Sequence, residues 1–170
     1  MDVSRIGPAV GVAFGCAWGI AGVSALPSRW QNSAIGFCIG VSVVLALLGW
    51  SRKQRKPGVF RGRTYGMAVL FEAAGILGTV WLLKQFGLSQ LLMPAIGSIV
   101  GLHFLGLWKA TDLRVFLWTA LAMCLVCGVA ALLPVARANG EVNWSQIVAG
   151  LGSAVVLWGA SAWSSLGPSS

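Results

Sequence analysis

Met93-Pro94-Ala95-Ile96-Gly97-Ser98-Ile99-Val100-Gly101-Leu102-His103-Phe104-Leu105-Gly106-Leu107-Trp108 is apolar enough to lie in a bilayer, yet it carries the chain's one histidine. Gly97 and Gly101 are four apart and so share a helical face, which lets a second helix come close. Reading this run as a membrane-spanning helix decides the fold, because the rest of the chain has the same character. Of 170 residues, 57% are hydrophobic and 9% charged, with mean hydropathy +0.82. A soluble domain carries about 25% charged residues. The expected class is an all-α polytopic membrane protein, a six-transmembrane-helix bundle in one membrane domain over residues 1–170.

Six apolar segments have the length of about 20 residues that crosses a bilayer. They run from about Gly7 to Leu26, Ser33 to Trp50, Tyr65 to Leu83, the opening run, Val115 to Leu133, and Gln146 to Trp163. Met1 to Arg5 before an apolar run and Val23-Ser24-Ala25 also has the outline of a signal peptide. A retained first span is the reading adopted. The connections are short, so function is expected in the bundle, at its surface, or in the basic loop 51–63.

The net charge of +8 does not point to nucleic acid. Half of the bases fall between Arg52 and Arg63, rather than over a solvated face. With that loop inside, Arg5, Lys109 and Arg114 also lie inside, and only Arg29, Lys84 and Arg137 lie outside. This positive-inside bias puts both termini in the cytoplasm and sets the 52–63 loop against anionic lipid. Trp30, Trp81 and Trp144 then fall at outer ends, and Trp50, Trp108 and Trp163 at inner ones, as interfacial belts.

Pro8-Ala9-Val10-Gly11-x-x-x-Gly15 matches Pro94-Ala95-Ile96-Gly97-x-x-x-Gly101 at an offset of 86 residues. The same offset places Cys38 on Cys124, and Gly66-x-Ala68-Val69 on Gly152-x-Ala154-Val155. Three spans per half require the second copy to be upside down, so 7–83 and 93–169 would be inverted three-helix repeats, an architecture of many transporters. Short chance matches in a Gly- and Ala-rich chain are the competing account.

Gly7, Gly11, Gly15 and Gly19 form a series at spacing four, with similar pairs at Gly36/Gly40 and Gly97/Gly101. Such seams serve packing within a bundle, or else a subunit interface or sliding surface. Cys16, Cys38, Cys124 and Cys127 all lie in apolar runs, where cysteine packs as a small hydrophobe. The Cys124-x-x-Cys127 spacing keeps a redox alternative open, though the electropositive setting of a reactive thiolate is missing.

Glu72 and His103 are, cysteines apart, the ionisable groups well inside the spans. Such residues are costly in hydrocarbon and usually face a partner in the bundle. At 1.5 Å per residue, Glu72 lies roughly 10 Å from the inner start of span three and His103 roughly 8 Å from the inner end of span four. They are expected to face each other. Three roles stay open: a polar pair locking helix register, a proton-relay or substrate site, since histidine changes charge near neutral pH, and a metal site. The last lacks the three or four ligands zinc needs, so no metal and no cofactor are expected. Phe71, Phe104, Trp118 and Trp158 are candidate walls of a pocket around the pair.

Phe71-Glu72 followed by Pro94-Ala95-Ile96-Gly97-x-Ile99-Val100-Gly101-Leu102-His103-Phe104 resembles a pattern in a family of small uncharacterised bacterial six-span integral membrane proteins. The resemblance covers spans three to four. It implies a bacterial inner-membrane location and a link between Glu72 and His103, but carries no activity. The preferred function is a transporter or channel for a small solute or proton. The partners open to the chain are a second copy, in a homo-oligomer, or a larger membrane complex; the alternatives to transport are a non-transporting accessory or scaffold subunit of such a complex and an intramembrane enzyme on a lipid or quinone. The enzyme ranks last because few polar groups converge.

Overall fold

A computed structural model describes residues 3–50, 62–133 and 142–166, with side-chain surroundings for 9–49, 62–133 and 142–164. These residues form six α-helices and one 3-10 turn, with no strand among them. Helix α1 (Val3–Val23) is followed by α2 (Ser28–Trp50), α3 (Gly62–Gln85), the 3-10 turn Ser89–Leu91, α4 (Leu92–Thr111), α5 (Arg114–Ala131) and α6 (Trp144–Leu166).

Each end has a local cause. Past α1 lies Pro27, which has no N–H to add to a helical ladder, and α2 starts at once at Ser28. The bare carbonyls after α1 are met by side chains: Gln31 Nε2 donates to Ser24 O (3.0 Å) and Leu26 O (2.7 Å), and Gln146 Nε2 to Ala21 O (2.9 Å). The last carbonyls of a helix have no partner in the ladder, and these side chains supply one. Helix α3 closes on Gly87 at φ +66°, with Leu88 N–H donating to Leu83 O (2.8 Å) and Gly87 N–H to Lys84 O (3.2 Å). That is the Schellman arrangement, whose left-handed residue is ordinarily glycine. Pro94 sits in the first turn of α4, where its missing N–H leaves nothing unpaired. Asp112 ends α4 at φ 56° and donates to Trp108 O (2.7 Å). Asn143 Oδ1 caps α6 by accepting from Gln146 N–H (3.1 Å).

Five helices, 28–49, 62–85, 89–111, 114–131 and 144–164, are long and apolar enough to cross a membrane. The described apolar part of α1, Ala9–Val23, is shorter. The helices also overrun several expected spans: α2 takes in Arg29 and Trp30, and α3 takes in Lys84 and Gln85. A hydrogen-bonded ladder continues past the apolar stretch until a proline, glycine or cap ends it. Of the basic loop 51–63, residues 51–61 lie outside the described residues, and Gly62 and Arg63 open α3.

The bundle is small inside and bulky outside. Buried positions include Ala110, Ala120, Ala130, Ala149, Ala154, Ser145 and Ser153, around a core of Trp18, Val23, Cys38, Val100, Met123, Leu157 and Trp158. Phe37, Leu70, Leu77 and Leu125 are each about 70% exposed. A soluble monomer rarely shows such wide apolar faces. A bundle in lipid needs them, with small residues where helices touch. Helix α6 packs on α1, α5, α4 and α2, while α3 packs on α4 and the 3-10 turn and buries no residue.

Glycine position separates contact from open surface. A Cβ on Gly15 would lie 2.6 Å from the Trp158 ring, on Gly19 2.9 Å from Cys38 Sγ, and on Gly101 2.8 Å from Cys124 Sγ. Gly11 and Gly97 are shut in by Ser161 Oγ and Cys127 Sγ. Gly7 lies in α1, outside the residues whose surroundings are described. Gly36 and Gly40 form no seam among the described residues, none of which lies within 4 Å of a Cβ on either. Gly159 is equally open. Gly159→Ala should therefore raise the thermal midpoint slightly, by about 0.5–1 kcal/mol of stability from reduced unfolded-chain freedom. A clear drop in detergent melting would show that this face is occupied.

Candidate functional site

The pair anticipated from depth is in contact. Glu72 Oε2 lies 3.3 Å from His103 Nδ1, with side chains 22% and 10% exposed. Nδ1 is also 3.2 Å from Ala68 O, one turn earlier on α3. A carbonyl and an ionised carboxylate can only accept. Both contacts are served together by a proton on Nδ1, shared between them. Thus α4 reads one turn of α3 through a single imidazole nitrogen.

Local sequence makes this approach possible. On one side of the pair, a Cβ on Gly106 would sit 2.6 Å from Ala68 Cβ. On the other, a Cβ on Gly75 would sit 3.2 Å from Ile99 Cγ2. Glycine on α4 and then on α3 brings the two helices together around the polar groups. The imidazole stands edge-on to Phe104 (6.0 Å, 75°), and Phe104 stacks on Phe116 of α5 (6.1 Å, 21°). His103 is thereby held from the core side, while Glu72 comes from the outlying helix.

The four aromatic candidates do not converge on the pair. Phe104 is beside it, but Phe71 and Trp118 are 70% and 67% exposed and turn away. Trp158 is buried in the α1–α6 interface over Gly15, and its Nε1 has no hydrogen-bond partner among the described residues. No group of three or more His, Cys, Asp or Glu able to hold a metal occurs among the described residues. The cysteines are free thiols: Cys127 Sγ is 3.6 Å from Ser153 Oγ, and Cys124 Sγ is 3.8 Å from Ser98 O. Cys127 packs against Gly97, Cys124 against Gly101 and Cys38 against Gly19.

Sequence reasoning did not single out Ala68 O, Gly75 or Gly106. Gly106 was visible in the opening run, three residues past His103, where a helix face places it one turn away. A backbone carbonyl leaves no sequence signal.

Fold and pair together define an all-α bundle compatible with a membrane, with a carboxylate–imidazole contact between α3 and α4. Comparison with family models, curated proteins and solved structures gives no match.

Proposed function

We propose that the chain is a six-span protein of the bacterial inner membrane, both termini cytoplasmic, that moves a proton or small solute through a site centred on Glu72 and His103. The carrying observation is the 3.3 Å contact between two ionisable groups inside apolar helices. Groups of this kind in membrane helices mark substrate paths and proton relays by default. Helix α1, 21 residues long, is the sixth span.

The inverted repeat supports a moving site. On α3, residues Ala68, Glu72 and Gly75 meet Gly106, His103 and Ile99 of α4 in antiparallel order. Adding 86 gives Ala154, Trp158 and Ser161 of α6, the residues that meet Gly19, Gly15 and Gly11 of α1. Subtracting 86 from the α4 residues gives 20, 17 and 13, within two positions of that α1 set. The α3 and α6 contact residues thus correspond by the offset, whereas the α4 and α1 contact residues are shifted by one to two positions, and a shift of two is nearly half a turn of helix. Both interfaces join one half to the other, and the polar pair stands on one of them.

Purified protein in liposomes should collapse an imposed pH gradient, or carry a solute against one, well above protein-free vesicles. Gradient decay equal to empty vesicles across a solute panel would remove the transport reading. A scaffold subunit is the second reading, favoured by the open apolar faces of α2 and α3.

A further inference from the structure

Around the bundle, α2 packs on α1, α1 on α6, α6 on α5, α5 on α4 and α4 on α3. Helix α6 also packs on α4 and α2, and of the helix pairs consecutive in the chain only α2–α3 is not packed among the described residues. These helices are consecutive in the chain, and consecutive elements are usually neighbours. The 86-residue offset carries α2 to α5 and α3 to α6. The parted pair α2–α3 therefore corresponds to the packed pair α5–α6.

The correspondence reaches single residues. In the packed pair, a Cβ on Gly152 of α6 would strike Val126 Cγ1 of α5. The offset takes Val126 to Gly40 and Gly152 to Gly66. Both are exposed glycines, and none of the described residues lies within 4 Å of a Cβ built on them. Each also points away from the neighbour its helix already has. Gly40 is two residues from Cys38, which meets Gly19 of α1, and Gly66 is two residues from Ala68, which meets Gly106 of α4. Two residues are about 200° of helix. Val126 and Gly152 bear the same two-residue relation to Cys124, which meets Gly101 of α4, and to Ala154, which meets Gly19 of α1.

We propose that the α2 face carrying Gly40 and the α3 face carrying Gly66 are mating surfaces, which close on each other in a second state while α5 and α6 part. The inference rests on the inverted-repeat reading above, in which the two halves exchange conformations as one rocks against the other. Two facing glycines allow the backbones to meet directly, the approach that favours helix association in lipid. Helix α3 carries Glu72 on its α4 side, so its swing toward α2 works on the Glu72–His103 contact and links the seam to the site.

The test is oxidative cross-linking in native membranes of Gly40→Cys/Gly66→Cys, with bonded cysteines mapped by mass spectrometry and the native cysteines retained. Both positions are open, so the variant should fold. A disulfide requires Cα atoms about 4.4–6.8 Å apart, so a bond forms only if the seam closes. Val126→Cys/Gly152→Cys, in contact here, is the reference pair. The expected result is an intrachain 40–66 bond with unchanged monomer size, and liposome flux lost on oxidation and restored by reductant. A bond at 126–152 with none at 40–66, at any pH or gradient tried, overturns the closure. A 40–66 bond running between chains, seen as a dimer band, overturns it in favour of a second copy on this face. An intrachain bond in a protein without flux upholds the closure and removes the transport reading instead.

Discussion

Gly150→Ala should cost the bundle about 3 kcal/mol, the upper end of what overpacking a well-filled site usually does. In a chain of this size that lowers the melting midpoint by roughly 6–12 °C. The added methyl carbon would fall on the Gly22 backbone of α1, closer than any real Cβ comes, with Trp18 O at 2.9 Å. Gly22 is matched: its own Cβ would be 2.8 Å from Leu151 N and 3.0 Å from Gly150 Cα. A side chain can rotate away from an intruder, but a helix backbone cannot. The α1–α6 seam must therefore open along its length, exposing Trp158 and Ala154, which it buries. Alanine's better helix propensity returns only about 1 kcal/mol. Gly22→Ala should do similar damage, and the double variant should lose less than the sum, because a parted seam has room for both methyls. Melting of Gly150→Ala within 2 °C of the parent, by fluorescence-detected size exclusion, would mean that α1 and α6 do not meet this closely.

How much of this was visible beforehand depended on the kind of signal. Helix positions follow from composition, because twenty apolar residues in lipid have few options besides a helix. The level of Glu72 against His103 follows from counting residues at a fixed rise, and the contact forms where the count puts it. The direction a glycine faces is different. In sequence, Gly36 and Gly40 look like Gly97 and Gly101, yet the first two meet nothing and the second two hold Cys127 and Cys124. Only the arrangement of helices decides which face is covered. Gly22 went unnoticed because it follows Gly19 at spacing three and not four, although an i, i+3 step keeps it on the same face, and Gly150 because it stands outside any spacing-four series. Phe71 illustrates the point within one helix. It adjoins Glu72 in sequence, but about 100° of rotation turns it outward. Gln31 and Gln146 were legible in principle, as amides beside helix ends whose carbonyls need donors.

Glu72→Gln should reduce flux by at least an order of magnitude while leaving the fold in place. The amide has the carboxylate's shape and can still accept from His103 Nδ1–H, so the contact survives as a neutral hydrogen bond. The change loses about 1 kcal/mol, the difference between a charge-assisted and a neutral bond, and a few degrees of melting. What it cannot do is take up a proton. If Glu72 and His103 pass a proton between α3 and α4, Gln at 72 ends the relay however well the protein folds. His103→Gln should behave alike, and the double variant should be no worse than either single one, since the two act as a unit. Glu72→Asp is a sharper probe. It keeps the charge but withdraws the oxygens by one methylene from a contact already at 3.3 Å. Flux should then fall partway, with Gln worse than Asp. A purely structural pair reverses the order: Asp, which breaks the contact, would melt lower and act worse than Gln, which keeps it. Melting and flux on the same preparations separate the two roles, and Gln retaining full flux would reduce Glu72 to a helix-packing residue.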